Sequence, residues 1–328
     1  MVSQDFSKNL FPLALVLLLL LFSSAEAHVT YGFYNDTCPH AEAIVIREMA
    51  KVMAKSPRLA GPLLRMHFVD CFVAGCEASI LLNSTEKYVA EKDAPLNIGL
   101  RGFDVIDAIK VKLEKTCPGI VSCADIIAMV ARDSVFLSQG PYYEIPLGRR
   151  DGNRSLASDT LGNLPPPDSN ITLLKAFFTK RNMTVKDMVV LSGSHTIGIS
   201  HCLSFSDRLY NFTGKGDMDP TLDKKYATML KSLCKPHDLM SAVDMDPGSS
   251  GRFDLRYYKL VSKRKGLFVS DAALLHDSET KAYVERQAKA KTAEEFFHDF
   301  AVSMINMGKI GVLTHQKGVI RKNCAFVN

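Results

Sequence analysis

Tryptophan is absent from the 328 residues, so any electron relay through the protein would have to run over its ten tyrosines. Long apolar runs are almost as scarce. One, from Phe11 to Phe22, stands near the N-terminus, and at about a dozen residues it falls short of the roughly 20 that a membrane-spanning helix needs. No later segment qualifies as a span, so no membrane anchor is expected. Paired C-x-x-C knuckles are missing, which argues against a structural zinc site. The G-x-S-x-G nucleophile turn is missing around Ser194, which removes that hydrolase reading. There is no internal repeat, no low-complexity tail and no dense basic block, so nucleic-acid binding has little support.

What is present points outward. Lys8 precedes the apolar run, and Ser23, Ser24, Ala25, Glu26 and Ala27 supply small residues before a cleavage point at His28, the pattern of a secretory leader. Residues 1–27 are expected to be removed, and residues 28–328 to form a single domain large enough for two lobes around a shared site. The formal charge is +5, from 40 basic and 35 acidic side chains; losing Lys8, Asp5 and Glu26 with the leader raises it to +6. A mildly basic secreted chain suits an acidic polysaccharide, although scattered surface charge accounts for the value equally well.

Eight cysteines lie beyond the leader: Cys38, Cys71, Cys76, Cys117, Cys123, Cys202, Cys234 and Cys324. An even count in a secreted chain indicates a disulfide framework, but eight cysteines allow 105 connectivities and the spacing does not choose among them. Six N-x-S/T sequons, at Asn35, Asn83, Asn153, Asn170, Asn182 and Asn211, suggest a glycoprotein whose asparagines lie on the surface. The chain stops soon after Cys324 without a retention tetrapeptide, which favours extracellular release.

Apolar residues recur mostly at helical spacing, as in Val45, Met49, Val52 and Met53, or Ile106, Ile109, Val111 and Leu113, so the expected class is all-α. Leu164-Pro165-Pro166-Pro167-Asp168 is the clearest interruption and a plausible lobe boundary; a second irregular stretch runs from Asp244 to Gly251. His67 and His195 stand in apolar settings as candidate ligands or bases, although a lone histidine of this kind is more often a satisfied core residue.

A series of blocks changes those odds. Arg65 to Leu82 (RMHFVDCFVAGCEASILL), Leu100-Arg101-Gly102-Phe103, Val121-Ser122-Cys123-Ala124-Asp125, Leu147-Gly148-Arg149-Arg150-Asp151, Leu191-Ser192-Gly193-Ser194-His195-Thr196-Ile197-Gly198, and Gly266-Leu267-Phe268 with Ser270-Asp271 resemble, in order, the signatures of the secreted plant (class III) haem peroxidases. The match runs over the whole mature chain. It implies a two-lobed all-α fold with haem b between the lobes, two calcium ions, and bridges Cys38–Cys117, Cys71–Cys76, Cys123–Cys324 and Cys202–Cys234. It also implies hydrogen peroxide and small phenolic donors as substrates, a monomer, and delivery to the cell wall or apoplast, where acidic polysaccharide is at hand.

By the same resemblance, His195 is the haem iron ligand and Asp271 accepts a hydrogen bond from its other ring nitrogen, which makes the imidazole a stronger donor and favours O–O cleavage. Arg65 is the distal cation, Asn97, reached through Glu91, orients the distal base, and Pro165 marks where aromatic donors rest. Asp70, Val73, Gly75, Glu77 and Ser79 match one calcium set, and Thr196, Asp246, Ser249, Arg252 and Asp254 the other, oxygen ligands suited to a hard cation. Glu77 replaces the family's aspartate, and Ser249 a usual threonine.

One position breaks the pattern. The distal base of the family is a histidine four residues after Arg65, on the same helix face, and here that position is Val69. Valine can neither accept nor return a proton. His67 is no substitute, since two residues along a helix rotate it about 200° from Val69. The expected protein is therefore a peroxidase homologue of low or altered activity; the alternative is a non-catalytic haem-binding or wall-binding pseudoenzyme.

Overall fold

Helical periodicity in the sequence becomes twelve α-helices in the computed structural model, which describes residues 29–328; the leader read at residues 1–27 lies outside the described residues. Four helices build the first lobe: α1 (Ala41–Lys55), α2 (Ala60–Val73), α3 (Phe103–Thr116) and α4 (Cys123–Leu137). Every residue of α4 from Cys123 to Val135 is buried, so this helix is the axis of the lobe, with α1 and α2 packed against it. Its first turn is held by Ser122, whose Oγ accepts the Asp125 N–H at 3.1 Å. Val45, Met49, Ile106, Ile109 and Leu113 all enter the core, whereas Val111 is 54% exposed. The reason is geometric: Val111 follows Ile109 by two residues and so faces the opposite side of α3.

The second lobe contains α5 (Ile171–Thr179), α6 (Val185–Ser192), α7 (Ser206–Tyr210), α8 (Lys224–Leu233), α9 (Arg256–Ser262), α10 (Val269–Ala273), α11 (Ser278–Lys289) and α12 (Glu294–Met307). Here α6 is the central piece, packed on α5, α11 and α12. Thr184 and Asp187 open it with a reciprocal capping box. The all-α expectation needs one amendment. Two three-residue strands, β1 (Ile199–His201) and β2 (Ala242–Asp244), pair antiparallel in the register Ile199 to Asp244, above a small satellite core that includes Phe205, Leu209, Tyr226 and Phe268.

The proline-rich segment at 164–168 connects the two halves, and the Pro167 carbonyl accepts the Ser270 N–H at 3.0 Å. The lobes also touch where Gly61 of α2 meets Gly198, so closely that a Cβ on Gly61 would lie 2.8 Å from the Gly198 Cα. Gly198 adopts φ +97°, a left-handed conformation suited to glycine. This contact sets α2 against the turn that carries His195. The four disulfides are Cys38–Cys117, Cys71–Cys76, Cys123–Cys324 and Cys202–Cys234, the pairs that the resemblance implies, and no cysteine is free among the described residues. Cys123–Cys324 spans 201 residues and ties the chain end to the start of α4. All six sequon asparagines are exposed.

Candidate active site

Directly after α6 the chain tightens into a 3₁₀ turn, Gly193–Thr196, which turns His195 out of the helix. Close packing enforces this turn, because a Cβ on Gly193 would lie 2.5 Å from the Tyr258 hydroxyl. His195 keeps 35% of its side chain accessible, while Asp271 opposite it keeps 2%. Asp271 belongs to the first turn of α10, where its Oδ2 caps the helix by accepting the Phe268 N–H at 2.9 Å. Its Oδ1 is 2.8 Å from His195 Nδ1 and also accepts the Tyr257 hydroxyl at 2.9 Å. Burial alone would raise the Asp271 pKa; the His195 ring and the donors around the carboxylate outweigh it, and the net direction is down. An ionised acceptor on Nδ1 places the ring proton there, which leaves the Nε2 lone pair as the free ligand atom. Phe268 meets the imidazole edge to face at 5.2 Å and restricts its rotation.

On α2, the Nη2 of Arg65 donates to the Leu96 carbonyl at 2.7 Å. The residue is exposed, yet burial draws its pKa below the ordinary guanidinium range, so the surface it presents is the wall of a cleft inside the molecule. Val69, one turn further along α2, is completely buried. Asn97 is also buried: its Nδ2 donates to the Glu91 carbonyl at 2.9 Å, but its Oδ1 has no hydrogen-bond partner among the described residues. An unmet buried acceptor costs about 1–3 kcal/mol. Pro165 is half-buried in the interlobe loop.

His67 points elsewhere. It is buried beside Arg149, Tyr143, Pro146 and Met304, next to a void of about 10 Å3, and its ring stands 3.6 Å from Cys71 Sγ. Burial first, and the Arg149 charge second, push its pKa down to about 3, so the ring is neutral at any physiological pH. His67, Cys71 and Cys76 lie close enough to suggest a metal triad, but both sulfurs are consumed in the Cys71–Cys76 bridge.

Two oxygen clusters adjoin these residues in the chain, one beginning at Asp70 after Val69 and the other at Thr196 after His195. In the first, Asp70 Oδ2 accepts the Ala78 N–H at 3.0 Å, while Asp70 Oδ1 and Ser79 Oγ are buried without a partner among the described residues. Burial and the neighbouring acids raise the Asp70 pKa, and burial pushes Glu77 up to about 7 and Glu91 up to about 8. Such crowding of unpaired oxygen is what a hard cation relieves. The carbonyl of Gly75 already accepts the Glu77 N–H at 2.7 Å, and Val73 is buried beside it. The longer arm of Glu77 has room only because residue 152 is glycine: a Cβ there would come within 1.7 Å of Glu77 Oε2. In the second cluster, the Thr196 hydroxyl lies 3.2 Å from Asp246 Oδ2 and 3.4 Å from Asp254 Oδ1, and Ser249 Oγ donates to Asp254 Oδ2 at 2.8 Å. Arg252 follows in the same loop, its side chain exposed. Burial and repulsion from Asp254 push Asp246 up to about 7, against the pull of Arg256, whose Nε is 2.9 Å from Asp246 Oδ1.

Two contributors, Tyr257 and Arg321, escaped the sequence reading, and Glu91 entered it only as the link to Asn97. Tyr257 completes the donor set on Asp271, Glu91 adds a third carboxylate to the first cluster, and Arg321, fully buried, donates to the Ala78 carbonyl at 2.6 Å beside that cluster. No spacing marks Tyr257 or Arg321, since their relevance depends on contacts across 14 and 243 residues.

Comparison with known proteins identifies the family. A sequence model described as Peroxidase matches residues 45–290. Peroxidase 1 of Oryza sativa subsp. japonica is 51% identical over 320 residues, covering 96% of this chain and 98% of the relative. Peroxidase 27 of Arabidopsis thaliana is 50% identical over 322 residues, covering 98% and 99%, and Peroxidase 39 of the same organism is 51% identical over 324 residues, covering 97% and 99%. Identity at this level along nearly the whole length, together with the helical fold and its four disulfides, means that the chain belongs to the peroxidase family, in its plant class III branch.

Proposed function

We propose that this protein is a secreted haem b peroxidase homologue whose peroxide-cleaving step is slowed by Val69, and whose proximal side is intact. The observation that carries this reading is the pairing of an Asp271–His195–Tyr257 network with a distal side where Asn97 Oδ1 has no partner among the described residues and Val69 offers no N–H. Haem, once bound, supplies the iron that takes up peroxide and passes electrons from the donor. His195 Nε2 would ligate it. Asp271 Oδ1 holds the proton on Nδ1 and so fixes the ring's tautomer and donor strength. Arg65 stays cationic and stabilises negative charge on the departing oxygen. Asn97 would orient a distal base, and Val69 cannot serve as one. Pro165 lies where a small phenolic donor would rest. The test is the peroxide-dependent change in haem absorbance of the native protein: a rate equal to that of a peroxidase with a distal histidine would overturn the slowed step, and no response even after Val69→His would favour the pseudoenzyme.

The oxygen clusters complete the reading as two calcium sites, one formed by Asp70, Val73, Gly75, Glu77 and Ser79, the other by Thr196, Asp246, Ser249, Arg252 and Asp254. Because Thr196 adjoins His195, the second ion would also steady the haem ligand. A pH signature follows. Without calcium, Glu77 and Glu91 hold protons more tightly folded than unfolded, since their pKa values rise from 4.5 to about 7 and about 8. Stability of the chelated protein is therefore expected to fall as pH rises from about 4.5 to 8, while the calcium-loaded protein holds its melting temperature over the same range. Thermal melts with and without chelator check this; melts that ignore the chelator would remove the sites.

Residues 1–27 are read as a leader and residues 28–328 as a single monomeric domain released to the cell wall, with the six exposed sequons as glycan acceptors. Among the described residues no helix is long and apolar enough to cross a membrane.

A further inference from the structure

The sequence contains no dense basic block, but the fold assembles one. Arg47, Lys51 and Lys55 recur every four residues along α1, which stacks them on one face at about 6 Å per step. Lys112 and Lys115 stand on α3, packed beside α1, and all five side chains are exposed. Between the two helices runs an open groove of about 530 Å3, lined by Arg47, Glu48, Lys51, Lys112 and Lys115 over a floor at Ile44. Four of these groups are cations and one is an acid. Glu48 pairs with Lys51 at 2.8 Å and with Lys112 from the opposite helix, so it ties the two lysines across the groove. Arg47, Lys55 and Lys115 have no acidic partner among the described residues.

We propose that the groove between α1 and α3 binds a linear polysaccharide that carries a carboxylate on each sugar, a polyuronate. Evenly spaced like charges on such a polymer match an evenly spaced row of cations, and an open trough lets a long chain pass through where an enclosed pocket would not. Lysine ammonium groups are point charges suited to spread carboxylates; bidentate phosphate recognition favours arginine, and the groove has one. Neither α1 nor α3 carries a residue assigned to haem, so a bound polymer leaves the cleft free. The inference rests on the reading of the protein as secreted, since that places it among such polymers.

The experiment uses the processed, haem-loaded protein and purified polygalacturonate, with a neutral galactan as control. Binding to polygalacturonate and not to galactan is expected, weakening as salt is raised through the physiological range. The double variant Lys112→Glu with Lys115→Glu should lose affinity on the order of tenfold or more. Lys224→Glu with Lys225→Glu, the same charge change on α8, should stay within about twofold of the native protein, and unchanged haem absorbance reports that both variants are folded. Equal losses in the two variants would reduce the effect to net charge and overturn the site, as would absence of native binding or tighter capture of inorganic polyphosphate. Sequencing the N-terminus of protein recovered from culture medium tests secretion separately, so failure there is distinct from failure of the groove.

Discussion

Val69→His is expected to speed the reaction of the haem-loaded protein with hydrogen peroxide by about 10² to 10⁴, the usual contribution of one positioned general acid/base. The substitution returns a titratable nitrogen to the face of α2 that carries Arg65, and it gives Asn97 Oδ1, buried without a partner among the described residues, an N–H to accept. The accelerated rate should rise with pH through the histidine pKa, because only neutral imidazole takes a proton from peroxide. The native protein has no such group on that face and should show no matching inflection. Val69→Leu separates chemistry from space: it enlarges the side chain without a base and should leave the rate near native. Rapid mixing of each protein with peroxide, followed by haem absorbance, reads all three outcomes. An unchanged rate for Val69→His would move the fault to another part of the pocket, and equal gains for histidine and leucine would make the effect steric.

Arg149→Met is expected to destabilise the fold by about 3–5 kcal/mol, the cost of breaking a buried ion pair by removing one partner. Arg149 and Asp125 are 2% and 0% exposed and meet at 2.8 Å, and the same guanidinium donates from Nε and Nη2 to the Gly308 carbonyl at the end of α12. Asp125 keeps the Tyr34 hydroxyl and the Gly148 N–H, each at 2.7 Å, but loses its only cationic partner among the described residues. At about 1.6 °C per kcal/mol for a chain of about 300 residues, the melting temperature should fall by roughly 5–8 °C. A double variant, Arg149→Met with Asp125→Asn, should recover part of the loss, since it removes the unpaired charge. Failure to recover would assign the cost to the Gly308 contacts instead. Thermal melts of the calcium-loaded proteins compare the three.

Much of this site was legible because it is written in short blocks. His195 lies within SGSHTIG, Arg65 opens a continuous helical signature, and Asp271 follows GLFVS, so a matching motif identifies each one. Val69 was legible as a departure from such a block, and helix geometry alone removed His67, which the structure places against Arg149 on the far side of α2. What remained invisible depends on contacts between distant segments. Tyr257 reaches Asp271, Arg321 reaches the Ala78 carbonyl, and Gly152 makes room for Glu77, each pair far apart in the chain and without a motif. The strands β1 and β2 are three residues each, too short for alternation to register as a pattern.

The sequence by itself determined the family and the helical class, and it supplied the proposed iron ligand His195, its carboxylate Asp271 and the valine at position 69. These follow from residue type at fixed spacing, and a chain of letters carries both. Only the tertiary structure decided that Asn97 Oδ1 lies buried without a partner among the described residues, that three carboxyls crowd the first oxygen cluster, and that scattered basic residues on α1 and α3 share one groove. Burial, desolvation and the summing of charge are properties of what surrounds a group, and those surroundings form only when segments distant in sequence pack together.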